Sequence, residues 1–304
     1  MKVLFIFLDG IGLGENNPEI NPLARAKMPN LNALLDGRSL LKESAPFEGE
    51  HASLIAIDPG VGVDGLPQSA TGQAMLLTGK NISAEIGYHY GPKPNPEVAA
   101  RLVDTIFSQC VNAGKKAALL NAYPPRYFDG IDSGKRLYSS IPLAVTNAGL
   151  ELFKVEDFIA GRALSADFTG NGWRTMLGFP DAPVMDAHEA GLKLAALAME
   201  YDFSFFEYWA SDYAGHKQQM ETAVGLMEAF DGVLGGLVEE VKDKMLVLVT
   251  SDHGNMEDLS TRKHTGVHVP ALVIGEKSAR EEFTRGMTDL THVAPAIWRM
   301  VEKL

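Results

Sequence analysis

Short, unbroken apolar runs alternate along the chain with segments whose apolar residues recur every three to four positions. The runs Val3–Leu8, Ala117–Ala122, Phe203–Trp209, Leu246–Thr250 and Val269–Ile274 predict strands. All are apolar or nearly so, the pattern of parallel strands covered on both faces. Helical spacing predicts helices around Pro29–Leu35, Gly72–Leu77, Pro96–Ala113, Asp186–Glu200, Gln219–Val241 and Leu290–Val301. Asp186, with Glu189 at the third helical position, reads as an N-cap in a capping box. The alternation predicts an α/β fold, a three-layer sandwich with a mainly parallel central sheet.

One region breaks the pattern. From Tyr123-Pro124-Pro125-Arg126 to Gly178-Phe179-Pro180-Asp181 the chain is rich in Pro, Gly, Tyr and Phe and holds only short periodic pieces. A compact domain rarely carries so long a structureless loop. Residues 123–181 are therefore expected to form a small inserted cap or lid on a core made of 1–122 and 182–304.

Composition narrows the function classes. The chain has 304 residues, 46% of them hydrophobic, enough for one large domain with an insertion. Its formal net charge of -12 speaks against a nucleic-acid or anionic-membrane partner. Cys110 is the single cysteine, which excludes an intrachain disulfide and a thiolate metal cluster. It falls in the helical series Val98, Leu102, Val103, Ile106, Phe107, Cys110, Val111 and reads as a core residue, not a nucleophile. The N-terminal run Lys2–Leu8 has no basic region before it and is too short for a signal or a spanning segment. The expected location is the cytoplasm.

The candidate chemistry lies where strands end, the place where open α/β sheets bind ligands. The run Met245–Val249 leads into Ser251-Asp252-His253-Gly254-Asn255, and a carboxylate and imidazole there are costly to desolvate unless something pairs them. Asp9-Gly10 follows the first run, Asp212-Tyr213-Ala214-Gly215-His216 follows the third, and His264 precedes the last. Three carboxylates and three imidazoles suffice for a two-metal site, and mixed oxygen and nitrogen donors suit zinc or manganese better than calcium. Each residue alone also has a structural reading: Asp9 as a turn residue, Asp212 with His216 as a polar pair at a helix start. His268 reads as a strand-edge residue. His51, His89, His188 and His292 belong to no pattern and read mostly as surface or capping residues, with His89 and Tyr88 as candidates to line a pocket mouth. A second signal is Gly65-Leu66-Pro67-Gln68-Ser69-Ala70-Thr71-Gly72 ahead of an apolar helix. Ser69 or Thr71 at that helix start either caps it or sits where the helix dipole helps to bind phosphate and favours an alkoxide.

Taken in order, these motifs resemble the alkaline phosphatase superfamily, nearest its cofactor-independent phosphoglycerate mutase and phosphopentomutase branch. The resemblance rests on Asp9-Gly10, Met28-Pro29-Asn30-Leu31, Ser69 ten residues before Gly79, Asp212-x-x-x-His216, Asp252-His253-Gly254 and His264-Thr265-x-x-x-Val269-Pro270. It covers residues 1–90 and 185–304. It implies an enzyme with two divalent metal ions, manganese or zinc. Asp9, Ser69, Asp252 and His253 would hold one ion, and Asp212, His216 and His264 the other. Ser69 would be the nucleophile, with Thr71 as the fallback. The implied reaction is phosphoryl transfer from a small phosphate ester through a phosphoserine.

The chain departs from the phosphoglycerate mutases in its insert. No His-containing glycine-rich motif lies between Gly91 and Asp181, and Arg126, Lys135, Arg136, Lys154, Arg162 and Arg174 stand against seven acids. A mutase must hold its phosphorylated product while it reorients, which calls for a closing, anion-binding lid. The expectation is thus a phosphatase, phosphodiesterase or phosphomutase, with the phosphoglycerate mutase reaction proper as an alternative and a non-catalytic metal-binding protein as the contrasting class. Arg126, Arg136 and Arg174 are the candidate substrate contacts.

Overall fold

The computed structural model describes residues 1–241 and 244–304. Seven strands, β1 (Lys2–Leu8), β2 (Phe47–Glu48), β3 (Ala52–Ile57), β4 (Ala117–Leu119), β5 (Phe203–Tyr208), β6 (Met245–Thr250) and β7 (Val269–Ile274), form one sheet in the order β2-β3-β7-β6-β1-β5-β4. Parallel pairing joins β6, β1, β5 and β4. β7 runs antiparallel to both β6 and β3.

The central strands are buried on both faces, and their period of two divides the core. Leu4, Ile6 and Leu8 of β1 join Phe206, Tyr208, Val247 and Val249 in one apolar layer. Val3, Phe5 and Phe7 point the other way, with Phe203, Phe205, Leu246 and Leu248. Helices Ala187–Ala198 and Met220–Val241 cover the first face. Helices Ser69–Thr78, Ile106–Asn112 and Val293–Val301 cover the second. This is the expected three-layer α/β sandwich, and the capping box of Asp186 with Glu189 is formed.

Three local expectations need correction. Val269–Ile274 is a strand, but not a parallel one. The reversal brings its beginning to the edge where β1, β5 and β6 end, so His264 arrives beside His253 and Asp212. The predicted helix Pro96–Ala113 is two short helices, Pro96–Ala99 and Ile106–Asn112, because Thr105 starts the second as its own N-cap with Ser108 completing a capping box. Val103 and Val111 are exposed, whereas Cys110 is buried, its thiol pushed up to about 12 by burial. The strand Ala117–Ala122 stops at Leu119: the Leu120 amide still donates to the Phe205 carbonyl of β5, but the Leu120 carbonyl and the Ala122 amide turn to Leu164.

Residues 123–181 contain the helices Pro125–Asp132, Ser140–Asn147, Val155–Ile159 and Asn171–Thr175. Tyr127, Ile141, Ala144, Val145 and Leu152 pack into the second layer of the main core. Val155, Phe158, Ala163 and Trp173 form a small core of their own with Ala122 and Ala182. Phe168 stacks on Phe206 of β5 at 4.6 Å between ring centroids, which ties the segment to the sheet.

Candidate metal and phosphoryl-transfer site

β1, β5 and β6 deliver their polar residues to the same sheet edge. Asp9 follows β1, its amide donating to the Tyr208 carbonyl at 3.0 Å. β5 is followed by the helix Ala210–Lys217, which carries Asp212 in its first turn and His216 one turn later. That spacing puts both side chains on one helix face. Asp252 and His253 follow β6 and are fully buried. Gly10, at φ +69°, lets the β1 loop run against this helix, since a Cβ there would lie 2.6 Å from Asp212 Oδ1. Gly72 likewise lets the helix Ser69–Thr78 lie on Asp252, 2.8 Å from where its Cβ would be.

Two groups of donors result. His253 Nε2 lies 3.5 Å from Asp9 Oδ1, 3.6 Å from Asp252 Oδ2 and 3.0 Å from Ser69 Oγ. His264 Nε2 lies 3.2 Å from His216 Nε2 and 3.8 Å from Asp212 Oδ1, and His216 Nε2 lies 3.3 Å from Asp212 Oδ2. The groups abut, because the His253 and His264 rings stack at 3.7 Å. Asp212 also clusters with His253 and His264 within 4.8 Å, so His253 stands between the two groups.

The donor chemistry fits divalent cations. His216 and His264 present Nδ1 to the carbonyls of Arg262 and Pro67, at 2.7 and 2.9 Å. A carbonyl only accepts, so each Nδ1 carries the proton and each Nε2 turns a lone pair into the site. As neutral imidazoles the two rings offer Nε2 lone pairs 3.2 Å apart, a spacing that suits a shared cation. Asp9 Oδ1 is buried without a hydrogen-bond partner. Burial, then the Asp252 charge, holds the Asp9 carboxyl well above its ordinary range. Burial, then Asp212, pushes Asp252 up to about 8. Burial also lowers His253 to about 3, reinforced by His264. Burial acts upward on Asp212 too, but hydrogen bonding from His216 and Asn255 and the nearby His253 bring it down to about 2. Carboxyls and imidazoles buried together at this cost are the signature of a site built around positive charge.

Ser69 is the first residue of its helix, and the N-cap position is Gln68. Its hydroxyl faces His253 and does not cap the helix. The helix's first amides have no partner within it. That of Thr71 is taken by the Tyr90 carbonyl at 3.0 Å, which leaves those of Ser69 and Ala70 at the positive end of the dipole. The Thr71 hydroxyl is engaged with the Gln68 carbonyl at 3.2 Å and the Tyr90 amide at 3.2 Å.

Of the arginines singled out in the sequence, Arg136 lays its guanidinium over the Tyr127 ring at 4.6 Å, and Tyr127 packs on Tyr123. Arg174 Nε donates to the Ala182 carbonyl at 2.6 Å, and Arg126 is exposed on the helix Pro125–Asp132. His89 bonds Ser83 and the Val63 carbonyl, His188 bonds Glu239, and His268 is exposed.

Sequence reasoning passed over several residues that the fold brings here. Asn255 Nδ2 donates to Asp212 Oδ1 at 2.6 Å, and Gln73 Nε2 to Asp252 Oδ2 at 3.3 Å. Gln73 had a signal, one helical turn after Ser69. Glu207 had another, as the one carboxylate in the apolar strand Phe203–Tyr208. It is buried beside the site, accepts from Tyr123 Oη at 3.2 Å, and its backbone is gripped from both sides by the Asn121 side chain. Burial raises its carboxyl from 4.5 to about 7. The folded protein therefore binds this proton more tightly than the unfolded chain, and stability falls as pH rises from about 4.5 through about 7. The difference corresponds to on the order of 3 kcal/mol. Glu207→Gln in chelator-treated protein is expected to be more stable than the wild type at pH 8, with the gap closing towards pH 5. Denaturant melts at the two pH values read it, and an equal gap at both would contradict it.

Residues 173–302 match the model of the Metalloenzyme superfamily. The 2,3-bisphosphoglycerate-independent phosphoglycerate mutase of Thiobacillus denitrificans is 28% identical over 204 residues, 59% of this chain and 37% of that protein. The enzyme of the same name from Psychrobacter arcticus is 27% identical over 246 residues, 76% of this chain and 42% of that protein. The alkaline phosphatase of the Antarctic bacterium TAB5 superposes with a TM-score of 0.57 at 14% identity, covering 99% of this chain and 98% of that one. Together these likenesses support a place in the alkaline phosphatase superfamily, near its phosphoglycerate mutase branch. Leishmania mexicana phosphoglycerate mutase, solved with cobalt, shares the fold at a TM-score of 0.50 and 13% identity, over 99% of this chain and 95% of that one. The chain spans about two fifths of the length of these two curated mutases. Among the described residues, no helix is long and apolar enough to cross a membrane.

Proposed function

We propose that the protein is a two-metal-dependent phosphoryl-transfer enzyme that moves the phosphoryl group of a small phosphate ester through Ser69. The observation that carries this reading is the Ser69 hydroxyl, exposed to the helix's positive end and 3.0 Å from His253 in the donor cluster. Asp9, Ser69, Asp252 and His253 would hold one ion, and Asp212, His216 and His264 the other. Nitrogen and oxygen donors favour manganese or zinc. When bound, such ions lower the pKa of a coordinated hydroxyl and neutralise phosphoryl charge.

The chain's own residues supply the rest. The amides of Ser69 and Ala70 face the anionic group. Ser69 Oγ forms a bond to phosphorus as the bond to the leaving alcohol breaks, giving a phosphoserine. Water or an acceptor hydroxyl then attacks phosphorus from the opposite side, and Ser69 leaves. Water as acceptor makes the enzyme a phosphohydrolase; a second hydroxyl of the retained substrate makes it a phosphomutase. We assign substrate recognition to the 123–181 segment acting as a cap, with Arg136 as the anion contact, since Tyr127 and Tyr123 connect it to Glu207 at the site.

The test is incubation of the protein, loaded with manganese and separately with zinc, with 3-phosphoglycerate, ribose 1-phosphate and p-nitrophenyl phosphate. Free phosphate without an isomer identifies a hydrolase, and isomer without free phosphate a mutase. A fully loaded protein that transfers no phosphoryl group to water or a hydroxyl contradicts the proposal.

A further inference from the structure

The site's ligands arrive on separate loops, so something must fix those loops relative to one another. One buried carboxylate touches three of them. Glu257 Oε2 accepts the amide of Gly12, three residues after Asp9, at 3.0 Å, and the amide of Asn255, two residues after His253, at 2.8 Å. Glu257 Oε1 accepts the hydroxyl of Thr265, the neighbour of His264. The Thr265 amide in turn donates to the Gly254 carbonyl at 2.9 Å, closing the β6 loop onto the loop before β7. Asn255, held at its backbone by Glu257, passes the constraint on by donating its side chain to Asp212 Oδ1 at 2.6 Å. Glu257 is only 3% exposed.

We infer that Glu257 is the positioning residue of the metal centre, setting the Asp9, Asp252-His253 and His264 loops and the Asp212 helix in register without itself touching an ion or the substrate. The inference rests on the two-metal reading above. Glu257 acts through geometry, so its charge is dispensable. A glutamine can turn its carbonyl oxygen to the two amides and its amide to Thr265 Oγ, which accepts as readily as it donates. An alanine leaves two buried amides and a hydroxyl without partners.

The experiment is calorimetric titration of the metal-free chain with manganese(II) alone, with the melting temperature of each metal-free variant recorded alongside. Glu257→Ala is expected to weaken manganese binding by about 10- to 100-fold, the scale set by outer-shell partners of metal ligands. Glu257→Gln is expected to bind as the wild type does. Thr265→Val, which removes one arm only, falls between them and decides the matter together with Glu257→Gln if the alanine variant does not fold. Wild-type affinity in Glu257→Ala overturns the inference. So does loss in Glu257→Gln as large as in Glu257→Ala, because charge and not register would then be at work. So does wild-type affinity in Thr265→Val. A wild-type chain that takes up no manganese overturns the metal reading, and this inference with it. Wild-type uptake alongside an unaffected Glu257→Ala overturns the inference alone.

Discussion

Ser69→Ala is expected to lower turnover by on the order of 10⁴-fold or more, the scale seen when a nucleophile is removed from a site whose binding groups remain. The fold should be indifferent to the change. Ser69 is the first residue of the helix Ser69–Thr78, makes no capping bond, and its hydroxyl meets only His253. Asp9, Asp252 and His253 stay in place as donors, so metal uptake should be largely retained. Steady-state rates on a phosphate ester that the wild type turns over, with metal content measured on the same samples, check both halves. Undiminished activity would move the nucleophile elsewhere. Thr71 is poorly placed to take over, since its buried hydroxyl is held between Gln68 and Tyr90.

His264→Ala is expected to have the second largest effect. It leaves Asp212 and His216 as the second group's remaining pair of donors, whereas stable sites for such ions use at least three protein ligands. It also removes the ring stacked on His253, the residue shared between the groups. Elemental analysis after dialysis should show one of the two ions lost, with activity falling alongside. Full retention of metal would undo the assignment of His264.

The fold was legible because its central strands are apolar on both faces. β1, β5, β6 and β7 differ by at most one residue at either end from the runs Val3–Leu8, Phe203–Trp209, Leu246–Thr250 and Val269–Ile274. What periodicity does not encode is direction. Val269–Ile274 reads the same whether it runs parallel or antiparallel, and only pairing with β6 shows that it turns round. β2 and β3 went unread because the short segment Phe47–Ile57 is broken by Glu48, Gly49, Glu50 and His51. The helix Ala210–Lys217 was masked by its polar residues, Asp212 and His216, which are there for the site and not for packing.

At the site, strand-end carboxylates and imidazoles stand out in sequence because burying them is costly. Their supports do not. Asn255, Glu257 and Gln73 are ordinary polar residues until the fold shows which ligand loop each one holds. The 123–181 segment is the least legible, because its short helices gain stability from Phe168 against Phe206 and from the small core around Trp173, contacts that no local pattern announces.

The central claim is that Ser69, set among the proposed metal ligands, carries the phosphoryl group. Acid quenching of the metal-loaded enzyme during turnover, followed by peptide mass spectrometry, tests it most directly. The account predicts a phosphorylated peptide with the modification on Ser69, absent from the Ser69→Ala protein. Phosphate on a different residue, or full turnover with no phosphoenzyme at any time point, would contradict it.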